Sequence, residues 1–268
     1  MMHTFKTGKV LHYKYVIQLL FASRDLNASL STLVTTTVNV DERLTVCGDT
    51  HGQLADLFSI FTINGTPSPT NRYIFNGDFV DRGDCGVEVV LTLMAWQLVF
   101  PNACMLNRGN HEERSQNETA GFMSEVFSKY NGIADGDPSR PQLVYDTFEC
   151  TFDMLPLTTL IEKGPRKVIV LHGGLSDRPG IRLEHIGAIN VRLALFQLPL
   201  YLAHMLFFRS GSEKSPGVAR HLRTSCLRTC CGQTLRIAWE QSIPRGAQGC
   251  SSAQMSPKSS APPTASLW

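Results

Sequence analysis

Four short apolar runs, LTVC (44–47), RYIF (72–75), ACML (103–106) and KVIVL (167–171), are each followed within one residue by polar side chains set among glycines. The four following segments are GDTHG (48–52), GDFVDRG (77–83), RGNHE (108–112) and HGG (172–174). Apolar runs this short, bounded by turn residues, read as strands buried on both faces. Between them, residues 53–61, 86–99 and 119–130 carry helix-like stretches. Strand alternating with helix predicts an α/β domain with crossover connections, in which the carboxyl ends of the strands gather at one sheet edge and bind ligands there. That pattern constrains the fold more than any other feature. It predicts that Asp49, His51, Asp78, Asn110 and His172 meet in space although the sequence spreads them over more than a hundred positions.

These five side chains offer oxygen or imidazole nitrogen and no thiolate. Such a set suits manganese, iron or zinc better than it suits a structural zinc cage. Asp49 with His51 can hold one ion and Asn110 with His172 another, while the two oxygens of Asp78 bridge them. A metal pair about 3.5–4 Å apart acidifies a shared water and stabilises both oxygens of an in-line displacement. Arg82 presents a planar fork of donors matched to phosphate oxygens. His111, beside Asn110, is placed to protonate a departing oxygen, and Asp81 to orient that imidazole. Glu112 reads as a structural hydrogen-bonding residue. Taken singly, GDTHG is also a tight turn with a helix cap, and a lone His172 at a strand end is most often a core histidine. Four such segments, each directly after a strand, outweigh those readings. His3, His12, His185, His204 and His221 have no comparable setting and read as incidental.

The rest of the chain frames this centre. LHYKYVIQLLFASRDL (11–26) repeats apolar residues at helical spacing and reads as an amphipathic helix packed on the α/β domain. GIADGDPSRPQ (132–142) reads as a surface loop. Residues 1–191 carry sixteen Lys/Arg against twenty-one Asp/Glu, whereas residues 192–268 carry nine against two. This charge break, with a Ser/Pro-rich end, predicts a basic and largely disordered tail over 193–268. The uncharged run 193–208 is short for a membrane span and is interrupted by Gln197, Pro199 and His204. The eight cysteines form no C-x-x-C pair and read as buried, reduced thiols of an intracellular protein. Asn27, Asn64 and Asn117 open N-x-S/T triplets of the kind that arise by chance, and the N-terminus lacks a secretory layout.

The motifs resemble those of the PPP family of serine/threonine protein phosphatases, whose pattern G-D-x-H-G, G-D-x-V-D-R-G, G-N-H-E and H-G-G is met without a substitution. YIFNGDFVDRG, LNRGNHE and VLHGGLS are most similar to the type-5 and EF-hand-bearing branches, and LHYKYVIQLL is similar to the helix leading into their catalytic domains. The resemblance implies a metallophosphoesterase-like α/β fold of central β-sheets flanked by helices. It divides the chain into a lead-in helix (1–30), the N-terminal part of a catalytic domain (31–192) and the divergent tail (193–268). It implies Asp49 and His51 as ligands of a first divalent metal, Asp78 as the bridge, and Asn110 and His172 as ligands of a second. Arg82 would grip the phosphate, with His111 as general acid paired with Asp81. The implied reaction is one-step hydrolysis of phosphoserine and phosphothreonine in proteins by a metal-bridging hydroxide, with manganese, iron or zinc as the ion.

The sequence departs from the family at Ala120, where a tyrosine is usual, and carries neither a tetratricopeptide region nor an EF-hand loop. After Arg192 it ceases to match the family pattern, whose later half supplies a further metal-binding histidine, a phosphate-binding arginine and an active-site tyrosine. The competing readings are a catalytically impaired relic or decoy of the same ancestry, and a metallophosphoesterase acting on nucleotides. No nucleic-acid or membrane partner is expected, a regulatory partner is left open, and the expected compartment is the cytoplasm or nucleus.

Overall fold

The computed structural model describes residues 1–39, 41–131, 137–176, 179–189 and 236–240. Two helices, α1 (Met2–Lys6) and α2 (Tyr13–Ala28), precede strands β1 (Leu33–Thr37) and β2 (Arg43–Cys47). Next come α3 (Leu54–Asn64), β3 (Asn71–Asn76), α4 (Gly86–Val99), β4 (Cys104–Asn107), α5 (Arg114–Ala120), α6 (Phe122–Tyr130) and α7 (Arg140–Phe152). Strands β5 (Thr158–Lys163) and β6 (Arg166–Leu171), helix α8 (Leu183–Gly187) and strand β7 (Arg236–Glu240) complete the order.

All four apolar runs are strands: β2, β3, β4 and β6. The first three form a parallel sheet with β3 in the middle. Their ends are flush, with Cys47 opposite Phe75 and Asn76 opposite Asn107, so the loops beyond them start side by side. The fourth run does not join them. β6 lies in a second sheet, ordered β1-β5-β6-β7, where β1 and β5 are parallel and the other pairs antiparallel. The expectation of one common sheet edge is therefore corrected to a junction between two sheets.

The physical reason is the two-faced burial of β3. Tyr73 and Phe75 point toward the helices and join Leu57 and Phe61 of α3 and Val87 and Leu91 of α4 in one large core. Ile74, on the opposite face, packs with Met105 and Val170 of the other sheet. A three-stranded sheet with helices on one side still has to cover its second face, and the second sheet does so. Fully buried Asn107 pins the two together. Its Nδ2 donates to Asn76 Oδ1 at 2.8 Å and to the Val170 carbonyl at 3.2 Å, and its Oδ1 accepts from Thr159 Oγ1 at 2.7 Å.

The lead-in helix α2 is part of the same core. Val16 and Leu20 are fully buried in it, and a reciprocal amide pair joins Asn27 to Gln97 of α4 at 3.0 Å in each direction. Asn27 thus owes its place to buried hydrogen bonding. The single helix expected over 119–130 is broken at Gly121, whose φ of +126° is open to glycine and strained for other residues. The loop expected over 132–142 ends early, because α7 starts at Arg140 with Pro141 in its first turn, where a missing N–H costs no helical bond. Strands β1 and β5 are additions to the sequence reading. Most of the segment 193–268 lies outside the described residues, as does the apolar run 193–208; Arg236–Glu240 is strand β7, not the disordered chain expected there. Among the described residues, no helix is long and apolar enough to cross a membrane.

Leu20→Ala, at a position with 0% exposure, is expected to lower unfolding free energy by about 2–5 kcal/mol. A urea titration would show a lower midpoint at unchanged slope, and a loss under about 0.5 kcal/mol would mean that α2 is peripheral. A second expectation concerns buried Glu149 on α7, whose carboxyl is pushed up to about 8, chiefly by burial. An acid with a raised folded pKa holds its proton more tightly folded than unfolded, so stability falls as pH climbs from the ordinary glutamate range through about 8. Melting between about pH 5 and about pH 8.5 is expected to fall less for Glu149→Gln than for the wild type. Equal slopes would refute the assignment.

Candidate active site

The loops after β2, β3 and β4 are tied together through backbone groups. Thr50 and His51 donate their N–H groups to the Asp78 carbonyl at 3.0 and 2.9 Å, and Gly52 donates to the Phe79 carbonyl at 2.8 Å. Glu112 reaches across from the third loop, its fully buried carboxylate accepting from the amides of Asp78, Phe79 and Gly109 at 2.7–2.8 Å. Burial and the nearby Asp78 charge push the Glu112 carboxyl up to about 7 despite those three donors. Glycine is required where the second and third loops touch: a Cβ on Gly77 would overlap the backbone of Gly109, and a Cβ on Gly109 would overlap Asp78. His51, Asp78, Asp81 and Arg82 all take positive φ, at 36°, 53°, 66° and 65°, and no other non-glycine among the described residues does. Such backbone costs about 1–3 kcal/mol per residue and persists only where its surroundings enforce it.

The enforced geometry gathers acceptors. His51 Nε2 lies 3.9 Å from Asp49 Oδ2 and 3.6 Å from Asp78 Oδ2. His172, at the end of β6, places Nε2 at 3.2 Å from Asp78 Oδ2 and 2.9 Å from Asn110 Oδ1. Both imidazoles are turned by carbonyls. His51 Nδ1 faces the Val80 carbonyl at 2.8 Å and His172 Nδ1 faces the Asn76 carbonyl at 2.7 Å. A carbonyl only accepts, so each Nδ1 carries the hydrogen and each Nε2 is aimed inward, as in ligating histidines. His51 Nε2 is buried with no hydrogen-bond partner.

Lone pairs of two imidazoles, two carboxylates and an amide oxygen thus face one another, and only a cation or a proton relieves that crowding. In the isolated protein a proton serves. Burial works to lower the His172 pKa, but the Asp78 carboxylate and the Asn76 carbonyl prevail and raise it to about 9. Asp78 is held below the usual carboxylate range: burial opposes this, and hydrogen bonds from His172 and the His111 amide outweigh it. The donor set therefore fits divalent cations, with Asp78 common to both groups of closely spaced ligand atoms.

All five sequence-predicted ligand residues are brought together. Their grouping differs from the expected pairing of Asp49 with His51: ligand atoms of Asp49, Asp78 and His172 lie within 4.8 Å of one another, as do those of His51, Asp78 and His111. His111 is otherwise committed. Its Nδ1 lies 2.7 Å from Asp81 Oδ2, and this hydrogen bond, ahead of the opposing effect of burial, raises its pKa. Its Nε2 faces exposed Arg82, whose Nη2 is 3.4 Å away. The rings of His51 and His111 meet edge to face with centroids 4.8 Å apart. His12 and His185 lie elsewhere, in local contacts at the starts of α2 and α8, and His204 and His221 fall outside the described residues.

The motifs did not reveal the residues behind this surface. Asn76 and Val80 act through main-chain carbonyls, which no side-chain pattern records. Asn117 donates to Asp81 and to the His111 carbonyl, yet the only signal at that position was its N-x-T triplet. Arg108 reaches the Glu112 carbonyl at 2.8 Å and Asp153 at 2.6 Å, bracing the third loop from below.

Residues 42–218 match the calcineurin-like phosphoesterase family, extending past Arg192, where the motif resemblance stopped. Over 190 residues the chain is 44% identical to serine/threonine-protein phosphatase 5 of Homo sapiens, covering 71% of this chain and 36% of the human protein. It is 43% identical over 183 residues to serine/threonine-protein phosphatase with EF-hands 2 of Mus musculus, covering 68% of this chain and 23% of that one. The chain thus spans about a third or less of the length of these relatives. A solved Saccharomyces cerevisiae protein serine/threonine phosphatase, described as similar to human phosphatase PP5, superposes with a TM-score of 0.63 at 36% identity, covering 69% of this chain and 56% of its own. By sequence match and by shared fold, the chain belongs to the calcineurin-like phosphoesterases, in their PPP branch of serine/threonine protein phosphatases.

Proposed function

We propose that this chain hydrolyses phosphoserine and phosphothreonine in proteins with the help of two divalent cations. The observation that carries the reading is the juxtaposition of a cluster of carboxylate, amide and imidazole ligand atoms centred on Asp78 with the Arg82 guanidinium and the Asp81-held His111. Asp49, His51 and Asp78 would hold one ion; Asp78, Asn110 and His172 would hold the other. When bound, such ions supply Lewis-acid polarisation and a water acidic enough to attack at neutral pH. Manganese, iron and zinc all accept these ligands.

The protein's own groups do the rest. The hydrogen bond from Nδ1 to Asp81 raises the His111 pKa, which favours proton uptake at the Nε2 that faces Arg82 and the pocket. Arg82 Nη2, which can only donate, stands 3.4 Å from His111 Nε2, so a phosphate entering here would take the Arg82 donors and lie against the imidazole. Arg82 is exposed and meets the phosphate from solvent; His111 is buried and donates its proton to the departing serine or threonine oxygen. The names of the matched relatives supply the substrate class, and the free thiols at Cys47, Cys85, Cys104 and Cys150 are in keeping with the cytoplasm as the compartment.

Manganese at roughly a hundred times its Kd is expected to stabilise the fold by about 2.7 kcal/mol, read as a rise in melting temperature, and Asp78→Asn to abolish most of that rise. An undiminished shift in Asp78→Asn would place the ion elsewhere. With manganese present, His111→Ala is expected to lower kcat on a phosphoserine peptide by about 10²–10⁴-fold, and far less on 4-nitrophenyl phosphate, whose leaving group departs without a proton. Metal binding without turnover of either substrate would favour the reading of a binding relic.

A further inference from the structure

Asn117 sits on α5, six residues beyond His111, and is fully buried. Its Nδ2 donates to Asp81 Oδ2 at 2.9 Å and to the His111 backbone carbonyl at 2.5 Å. The same Asp81 oxygen takes His111 Nδ1 at 2.7 Å, and the other, Oδ1, accepts the Phe122 amide at 2.7 Å. One amide group therefore grips both members of the pair, Asp81 by its carboxylate and His111 by its main chain. Its own Oδ1 is buried without a hydrogen-bond partner.

That asymmetry is informative. A buried polar atom left unmatched is destabilising, and a leucine of the same branched shape would occupy the position without leaving an acceptor unpaired. What a leucine lacks is the pair of donors. We infer that Asn117 is a positioning residue: by holding Asp81 and the His111 carbonyl together, it fixes the direction in which His111 Nε2 presents its proton beside Arg82. The inference rests on the phosphatase reading above. A carboxylate fixed by three donors cannot swing, so the imidazole bound to it keeps its tilt, and a small error in tilt is costly at the proton-transfer step.

The test uses the full chain with manganese and compares a phosphoserine peptide, whose alkoxide must be protonated as it leaves, with 4-nitrophenyl phosphate, whose phenolate need not be. Asn117→Leu, which keeps the branched shape and removes both donors, is expected to lower kcat on the peptide by about tenfold to a hundredfold. On the aryl ester the loss should stay under about threefold, with KM for both substrates little changed. In an Asp81→Ala background the same change should add less than about twofold on the peptide, since Asn117 acts through Asp81. Equal losses on both substrates, no loss, or an undiminished loss in the Asp81→Ala background would each overturn the inference. If Asn117→Leu shows no melting transition, Asn117→Ala reads the same ratio without added bulk. Failure of both to fold would make Asn117 a folding residue and end the claim. If His111→Ala itself lacks the substrate selectivity, the phosphatase reading fails first; if His111→Ala has it and Asn117→Leu does not, only the positioning role fails.

Discussion

Every loop of the centre is tied to Asp78. Its backbone carbonyl takes the amides of Thr50 and His51 from the first loop, and its own amide goes to Glu112 of the third. Its carboxylate accepts the His111 amide at 2.9 Å on one oxygen and stands 3.2 Å from His172 Nε2 on the other, the latter arriving from the second sheet. A residue so placed cannot move without displacing its neighbours, and its buried charge has to be balanced locally. A proton on His172, whose pKa Asp78 raises, or bound cations would balance it. The left-handed backbone at Asp78 is the price of aiming one carboxylate at both groups.

Strain at four motif residues needs a stiff support, and the helices provide it. Phe122, whose amide holds Asp81, has its ring 5.2 Å from Phe148 and 5.7 Å from Phe152 of α7. Glu125 of α6 caps α4 through the amides of Gly86 and Val87, while Lys129 donates to the Asp84 carbonyl at 2.8 Å. The loop that carries Asp81 and Arg82 is thus clamped at both ends by one helix. Because α6 packs on α7 and α7 on α2, the loop's conformation is fixed by the same apolar burial that stabilises the domain. Function and stability share a scaffold here, and a core change near Phe122 reaches the site through a single hydrogen bond.

The sequence made the inner layer legible and hid the outer one for specific reasons. β3 and β4 were readable because burial on both faces leaves an unbroken apolar run; β2 and β6, buried chiefly at their carboxyl ends, carry similar short runs, and the glycine-set motifs were readable because they stand where those runs stop. β1, Leu33–Thr37, is an edge strand of two apolar residues and three threonines, and offers neither a run nor an alternation. α7 was masked by Pro141 and the Gly/Asp-rich residues before it, which look like loop until the helix they lead into is seen. The split into two sheets could not be read at all, since what decides it is the second face of β3 and the staple at Asn107. Asn117 was invisible for a related reason: one amide among polar neighbours has meaning only through the two atoms it touches.

The charge layout sets ligand acceptors beside a cationic side chain. Asp78, His111 and His172 are buried, Asn110 is half-buried, and Asp49 and Arg82 are exposed at the rim. On the proposed reading, cations held by these ligands would leave the cluster positive beside the Arg82 guanidinium and favour an anion with several oxygens. A tetrahedral phosphoryl group would then present oxygens to the cations and to Arg82 at once, with His111 beside them. The partners behind the rings separate two histidine types. Where a carbonyl holds Nδ1, the ring aims Nε2 at the carboxylates, where a proton or a metal can be taken; where a carboxylate holds Nδ1, the imidazolium is favoured directly. His51 and His172 are of the first kind and His111 of the second, which on the proposed reading suits the first two to ligation and the third to proton donation.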